Sequence, residues 1–285
     1  MQKVRYINPK GESVYFDIKP PFVLQTIQGV GEVGVNIQSQ KSPYQDGSTF
    51  TNVKLEQRDI FMQVTLSSDN DRELFKMRQD IQKVFNPKLG EGQLIYETPN
   101  GIKMISVLPD GTPHFGNYTR GAIICQINLI AHNPLWTDVN PLPESQILST
   151  YISKYQQTAT KPYFESTITK DGVNISNNGT FDTSLLIKIS GNNTKNVILT
   201  NATSGRTIEI VKPLPTGSTL VIDTSFGKYR KVKLVSSEGV ESNGFSYLSF
   251  FTDFIQLEIG ENTLKYESLE DMTISVEWHN NYIGL

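Results

Sequence analysis

The chain has 285 residues, 37% hydrophobic and 19% charged, which is the composition of a folded protein long enough for two domains. A formal net charge of −3 offers nothing that nucleic acid or an anionic membrane would select. One cysteine excludes an internal disulfide framework, and three scattered histidines match no zinc-ligand spacing.

The opening "MQKVRYINPK" lacks the apolar core of a signal peptide, and no later apolar run is long enough to span a bilayer. Period-2 alternation then predicts strands in "SVYFDI", "FVLQTI", "VGVNIQ", "IFMQVTL", "QLIYE", "KMISVL" and "AIICQINLI", punctuated by Asn-Pro, Asp-Gly and Asn-Gly turns. Cys125 falls on the apolar face of the last of these and reads as a buried, inert thiol.

Between Gly29 and Gly34, "GVGEVG" spells a literal G-x-G-x-x-G, with Glu56 some twenty positions on. A dinucleotide site needs a helix to open directly after those glycines. Val35, Asn36, Ile37 and Gln38 alternate like a strand instead, so the segment reads as a turn between strands.

"SPYQDGSTFTNVKLEQRDIFMQVTL" gathers Asp46, Glu56, Arg58 and Asp59 where a strand is about to begin. They read either as catalytic carboxylates with a guiding arginine, or as the polar start of a strand continuing through Ile60, Met62, Val64 and Leu66. A glycosidase needs one carboxyl with a raised pKa, whereas an arginine two residues from Glu56 would favour the charged carboxylate instead. The spacing therefore favours an ion pair at a strand end or at a contact between subunits. No catalytic set, cofactor site or metal site is assigned.

A helix is predicted in "NDRELFKMRQDIQKVFNP", where Leu74, Met77, Ile81 and Val84 share one face and Phe75 and Phe85 widen it. Asn70 and Glu73 have the spacing of a capping box, and Asn86-Pro87 ends the run. After Trp136 a proline-rich stretch reads as a linker, and "ESQILSTYISKYQQ" is a short helix or a strand. From about Tyr163 the chain is again β: "YFESTI", "SLLIKIS", "NVILTN", "RTIEIV", "STLVID", "YRKVKLV", "YLSFF", "IQLEI" and "TISVEW". Short strands at this spacing predict a sandwich or jelly roll. Its aromatic residues, among them Phe245, Phe250 and Phe251, are core or rings for stacking on sugars.

The order of these features resembles the distal tail proteins of long-tailed phages infecting Gram-positive bacteria, within the siphovirus-type tail component family. The resemblance rests on "DGSTFTNVKLEQRDIFMQVTL", "DRELFKMRQDIQKVFNPKLGEGQLIY" and "CQINLIAHNPLWTD", then on "NNGTFDTSLLIKISG", "NATSGRTIEI", "LVIDT", "GENTLKY" and "EWHNNYIGL". It implies a mainly β protein of two domains: residues 1–140, a β-sandwich-like ring-forming domain with one packed helix, and residues 141–285, a galectin- or carbohydrate-binding-module-like jelly-roll sandwich.

It further implies a hexameric ring at the distal tail tip of the virion, assembled in the bacterial cytoplasm. The ring would join the tail tube protein to the baseplate hub, anchor receptor-binding proteins and let DNA pass without specific binding. Asp46, Glu56, Arg58 and Asp59 are then expected at the subunit interface. Related hub proteins carry a longer C-terminal extension, which argues against that role. Two alternatives remain: an adhesin module that binds host cell-wall saccharide, and a tail-associated cell-wall hydrolase.

Overall fold

The computed structural model describes residues 2–119, 121–139, 152–154, 164–169, 171–191, 196–225, 231–268 and 272–285. They form two units, residues 1–160 together with 283–285, and residues 161–282. Both are built mainly of antiparallel strands, with one α-helix among the described residues.

In the first unit the strands are β1 (Lys3–Ile7), β2 (Glu12–Phe16), β3 (Phe22–Gln28), β4 (Val35–Gln40), β5 (Thr49–Leu55) and β6 (Arg58–Ser67). After helix α1 (Asp71–Val84) follow β7 (Gly92–Thr98), β8 (Gly101–Pro109), β9 (His114–Thr119), β10 (Ala122–Ala131), β11 (Trp136–Asp138) and β12 (Ile152–Lys154). They hydrogen-bond in the order β12-β2-β1-β7-β8-β10-β6-β3, with β9 on β10 and β11 on β8. Of the segment predicted as helix or strand, residues 152–154 pair with β2, and the rest lies outside the described residues.

Strict alternation makes β6 and β10 the spine of this unit. Their register sets Ile60 against Leu129, Met62 against Ile127, Val64 against Cys125 and Leu66 against Ile123, all buried. Because side chains alternate with period 2, one face of the pair is wholly apolar and must be covered. Helix α1 does so with Leu74, Met77, Ile81 and Val84, which are fully buried. Phe85 continues the seal by stacking on Tyr6, ring centroids 4.2 Å apart. Phe75 is half exposed and stacks on Tyr118.

Asn70 caps α1 by accepting from the Arg72 N–H at 3.0 Å. The expected capping box is relayed: Ser68 donates its hydroxyl to Glu73 at 2.8 Å and accepts the Asn70 N–H at 3.1 Å. Glu12 of β2 also accepts from Lys83 at 2.6 Å, tying the last turn of the helix to the sheet.

The second unit is a sandwich. One sheet runs β13 (Phe164–Ile168), β23 (Thr273–Trp278), β15 (Thr183–Ser190), β18 (Thr219–Asp223), β19 (Lys231–Val235), β20 (Glu241–Asn243), with β21 (Gln256–Leu257) against β15. The other runs β14 (Val173–Asn177), β22 (Gly260–Glu267), β16 (Val197–Asn201), β17 (Thr207–Ile210). Ile187, Ile222 and Val276 of the first meet Leu199, Ile208 and Leu264 of the second in one buried core. Face-to-face packing of two alternating sheets is what this pattern requires.

"YLSFF" is not a strand. Its first residue, Tyr247, closes a short 3-10 turn (Phe245–Tyr247), and the rest runs along the free edge of β17, where Ser249 N–H donates to Glu209 O and Asp253 N–H to Thr207 O, both at 2.8 Å. The segment thereby covers an edge that would otherwise be open to pairing. Phe250 and Phe251 are left 96% and 85% exposed.

Candidate assembly surface

Among the described residues, strands β4 and β5 pair only with each other, as a two-stranded hairpin. Val35 faces Leu55, Ile37 faces Val53 and, past a bulge at Thr51, Ser39 faces Phe50. Those residues form one apolar face, while Asn36, Gln38, Gln40, Asn52 and Lys54 form the other. Ile37 and Phe50 are each 64% exposed, and Val35 and Val53 nearly half. An isolated two-stranded ribbon is marginal in water, so a hairpin with one greasy side needs a partner. Alternation in the sequence marks β4, whereas β5 runs into the approach to β6 without a clear period. The bulge breaks the alternation of Phe50, Val53 and Leu55, and that broken period was the available signal.

The four charged positions singled out in the sequence surround this hairpin. Asp46 is exposed in the stretch joining β4 to β5, Glu56 is exposed at the root and Asp59 is exposed at the start of β6. Arg58 is buried, 1% exposed, on the same side of β6 as Ile60 and Met62.

The Glu56–Arg58 ion pair anticipated from the spacing does not form. The guanidinium binds five backbone carbonyls instead. Its Nη1 donates to Gly29 at 2.7 Å, Val30 at 3.2 Å and Glu32 at 2.6 Å; Nε donates to Pro134 at 2.9 Å, and Nη2 to Ile283. Burial pulls the pKa of Arg58 below its ordinary value, and the Glu32 carboxylate opposes the shift.

The "GVGEVG" segment is the lead-in to the hairpin. Strand β4 follows it where a dinucleotide site needs a helix. Gly29 has φ +83°, and a Cβ there would lie 2.0 Å from the Asp59 carbonyl oxygen, so only glycine fits. Cys125, also buried, has its thiol pushed up to about 12 by desolvation, which disfavours the reactive thiolate. Among the described residues, no group of three or more His, Cys, Asp or Glu is placed to hold a metal ion.

The geometry thus gives a protein class without a described catalytic or metal centre, a sheet scaffold that carries an uncovered apolar arm. Comparison with known families makes the class specific. Residues 10–126 match the phage tail protein RIFT-related domain, and residues 178–282 match the C-terminal domain of the siphovirus-type tail component. The chain belongs to the siphovirus-type tail component family and is a structural component of a phage virion.

Its fold is similar to that of the Dit protein of phage SPP1, described as a paradigm of the hub adsorption apparatus in phages infecting Gram-positive bacteria. That match has 12% identity and a TM-score of 0.67, covering 99% of both chains. Chains of the phage P2 baseplate in its activated conformation are also similar. With calcium the identity is 11% and the TM-score 0.50; with strontium they are 12% and 0.51; each covers 97% of both chains. No curated protein matches.

Proposed function

We propose that the protein is the distal tail component, closing with five further copies into a ring at the distal tip of the tail tube. The observation that carries this reading is the β4–β5 arm with its uncovered apolar face. A neighbouring copy that covered Val35, Ile37, Phe50 and Val53 would gain roughly 1 kcal/mol for each half-exposed side chain. One such contact, repeated head to tail, closes a ring when the rotation permits. The number six and the named partners are supported by the family resemblance: tail tube protein on one side, baseplate hub on the other, and receptor-binding proteins attached. Assembly would take place in the bacterial cytoplasm. Asp46, Glu56 and Asp59 are proposed as polar contacts around the arm.

A passage for DNA is supported by the outward face of β3, β6 and β10. Thr26 pairs with Gln63, Gln63 with Gln126 and Phe61 with Asn128, and none of these carries a charge. Phosphate sliding past such a face meets no cation to hold it. We infer no hydrolytic activity, because Arg58 serves its own backbone and the family is structural; peptidoglycan incubated with the protein is expected to release no soluble fragments, and release above buffer would overturn this reading. A second reading, saccharide binding by residues 161–282, is favoured by the exposed Phe250 and Phe251 rings, which are suited to stacking on pyranose faces. Binding of host wall glycan that is lost in Phe250→Ala/Phe251→Ala would establish it.

The test of assembly is the double variant Ile37→Lys/Val53→Lys. It is expected to keep the monomer fold and to lose the ring, both in mass measurements at high concentration and in electron micrographs of tails. Normal rings in that variant, or density for this chain away from a ring at the tail tip, would refute the assignment.

A further inference from the structure

We propose that Arg58 is the positioning residue of the β4–β5 arm, acting together with residues 283–285 as a strap over the root of the arm. The proposal rests on the reading of the arm as an assembly contact.

The root is narrow. Glu56 N–H donates to Gly34 O at 2.8 Å and closes it, and the lead-in from Gly29 to Gly34 holds three glycines with no helix or strand of its own. Left alone, such a lead-in is a pivot. Arg58 lies on the other limb of the root and reaches back to three carbonyls of the lead-in, Gly29, Val30 and Glu32. The same guanidinium holds Pro134 and Ile283, so segments far apart in sequence converge on one rigid planar fork.

The strap makes its own contacts with the lead-in. Leu285 N–H donates to Val30 O at 3.3 Å. Gly284 lies so close to Gly31 that a Cβ at 284 would sit 2.2 Å from the Gly31 carbonyl oxygen. On the opposite side, the lead-in is pressed against β6 through Gly29.

The choice of residue is informative. Burying a cation that touches no carboxylate costs free energy that an apolar side chain of similar volume would not. For stability alone, arginine is a poor choice; for fixing the mutual placement of several backbone segments it is well suited, because every partner is a carbonyl set by the chain path. An arm held in one direction before it meets its partner loses less freedom on binding. Arg58 does not itself need to touch the neighbouring copy.

The experiment places spin labels at Asn52 on the arm and Gln79 on α1, both exposed, in full-length chains diluted into unlabelled protein, and reads the width of the distance distribution. Gly284→Val displaces the strap without altering charge or core. Arg58→Lys keeps the charge and removes the fork. Both are expected to widen the distribution at least twofold and to reduce ring formation at least tenfold, while the exchange protection of α1 and β10 amides stays unchanged. An unchanged width in Gly284→Val and Arg58→Lys overturns the proposal, as does full rescue by lysine or a uniform loss of protection across the unit, the mark of a merely structural role. The distance width is a property of a single chain. If the unsubstituted protein forms no ring, the assembly reading fails while the width still decides the role of Arg58.

Discussion

Arg58 shows how a charged side chain in a sequence can belong to the backbone of its own fold. Replacing it with methionine removes the donors to its carbonyl partners but also relieves the burial of a cation, and Arg58→Met is expected to change stability in urea denaturation by no more than about 1 kcal/mol. A second residue-scale prediction concerns Glu12. Its pKa is lowered, first by the hydrogen bond from Lys83, with Asn8 assisting. A carboxyl whose folded pKa lies below its unfolded one adds stability above its ordinary value of 4.5, and that stability is lost as pH falls through the folded pKa. Glu12→Gln is therefore expected to lower stability in the neutral region and to leave the most acid region, where the contribution is already lost, little affected, so that the acid limb of the stability–pH curve flattens. Cys125, with its thiol pushed up to about 12 and its side chain buried, should react with iodoacetamide only as the protein unfolds. Labelling of native protein at the rate of a free thiol would contradict this.

At the scale of elements, helix α1 and the arm are opposites. The apolar stripe of the helix is fully covered by the sheet, so Leu74→Ala opens a cavity and is expected to cost about 3 kcal/mol, read as a lowered denaturation midpoint. The apolar stripe of the arm is uncovered, so substitutions there should act on assembly and leave monomer stability within about 0.5 kcal/mol. Regular alternation made β6, β10, β15 and β18 legible in the sequence, and 3.6-residue spacing did the same for α1. Strands β1 and β9 were passed over: β1 carries Arg5 inside a five-residue run, buried and donating to Ser13 at 2.9 Å, and β9 holds a glycine. "YLSFF" had strand composition, yet Phe250 and Phe251 face solvent because the backbone there serves the edge of β17.

For the whole molecule, the chain leaves the first unit at residue 160 and returns to it at 283. The intervening residues bury a core of their own, with Ile187, Leu199, Ile222, Leu264 and Val276 all inaccessible to solvent. A fragment of residues 161–282 is expected to fold alone, with a β-type circular dichroism spectrum and one cooperative thermal transition. A broad, non-cooperative melt would show that its stability depends on the rest of the chain.

What the sequence determined by itself was local or cumulative. Alternation and turn chemistry specify strands, helical spacing specifies α1, and the order of motifs specifies the family, because each is written in neighbouring residues or summed along the chain. The tertiary structure alone decided what Arg58 binds and that residues 35–55 stand out as an amphipathic arm. A guanidinium selects its acceptors by distance in space, and Gly29, Pro134 and Ile283, far apart in sequence, meet only in the folded chain. A strand's apolar face is core or contact surface according to whether another element lies over it, and no local pattern records that.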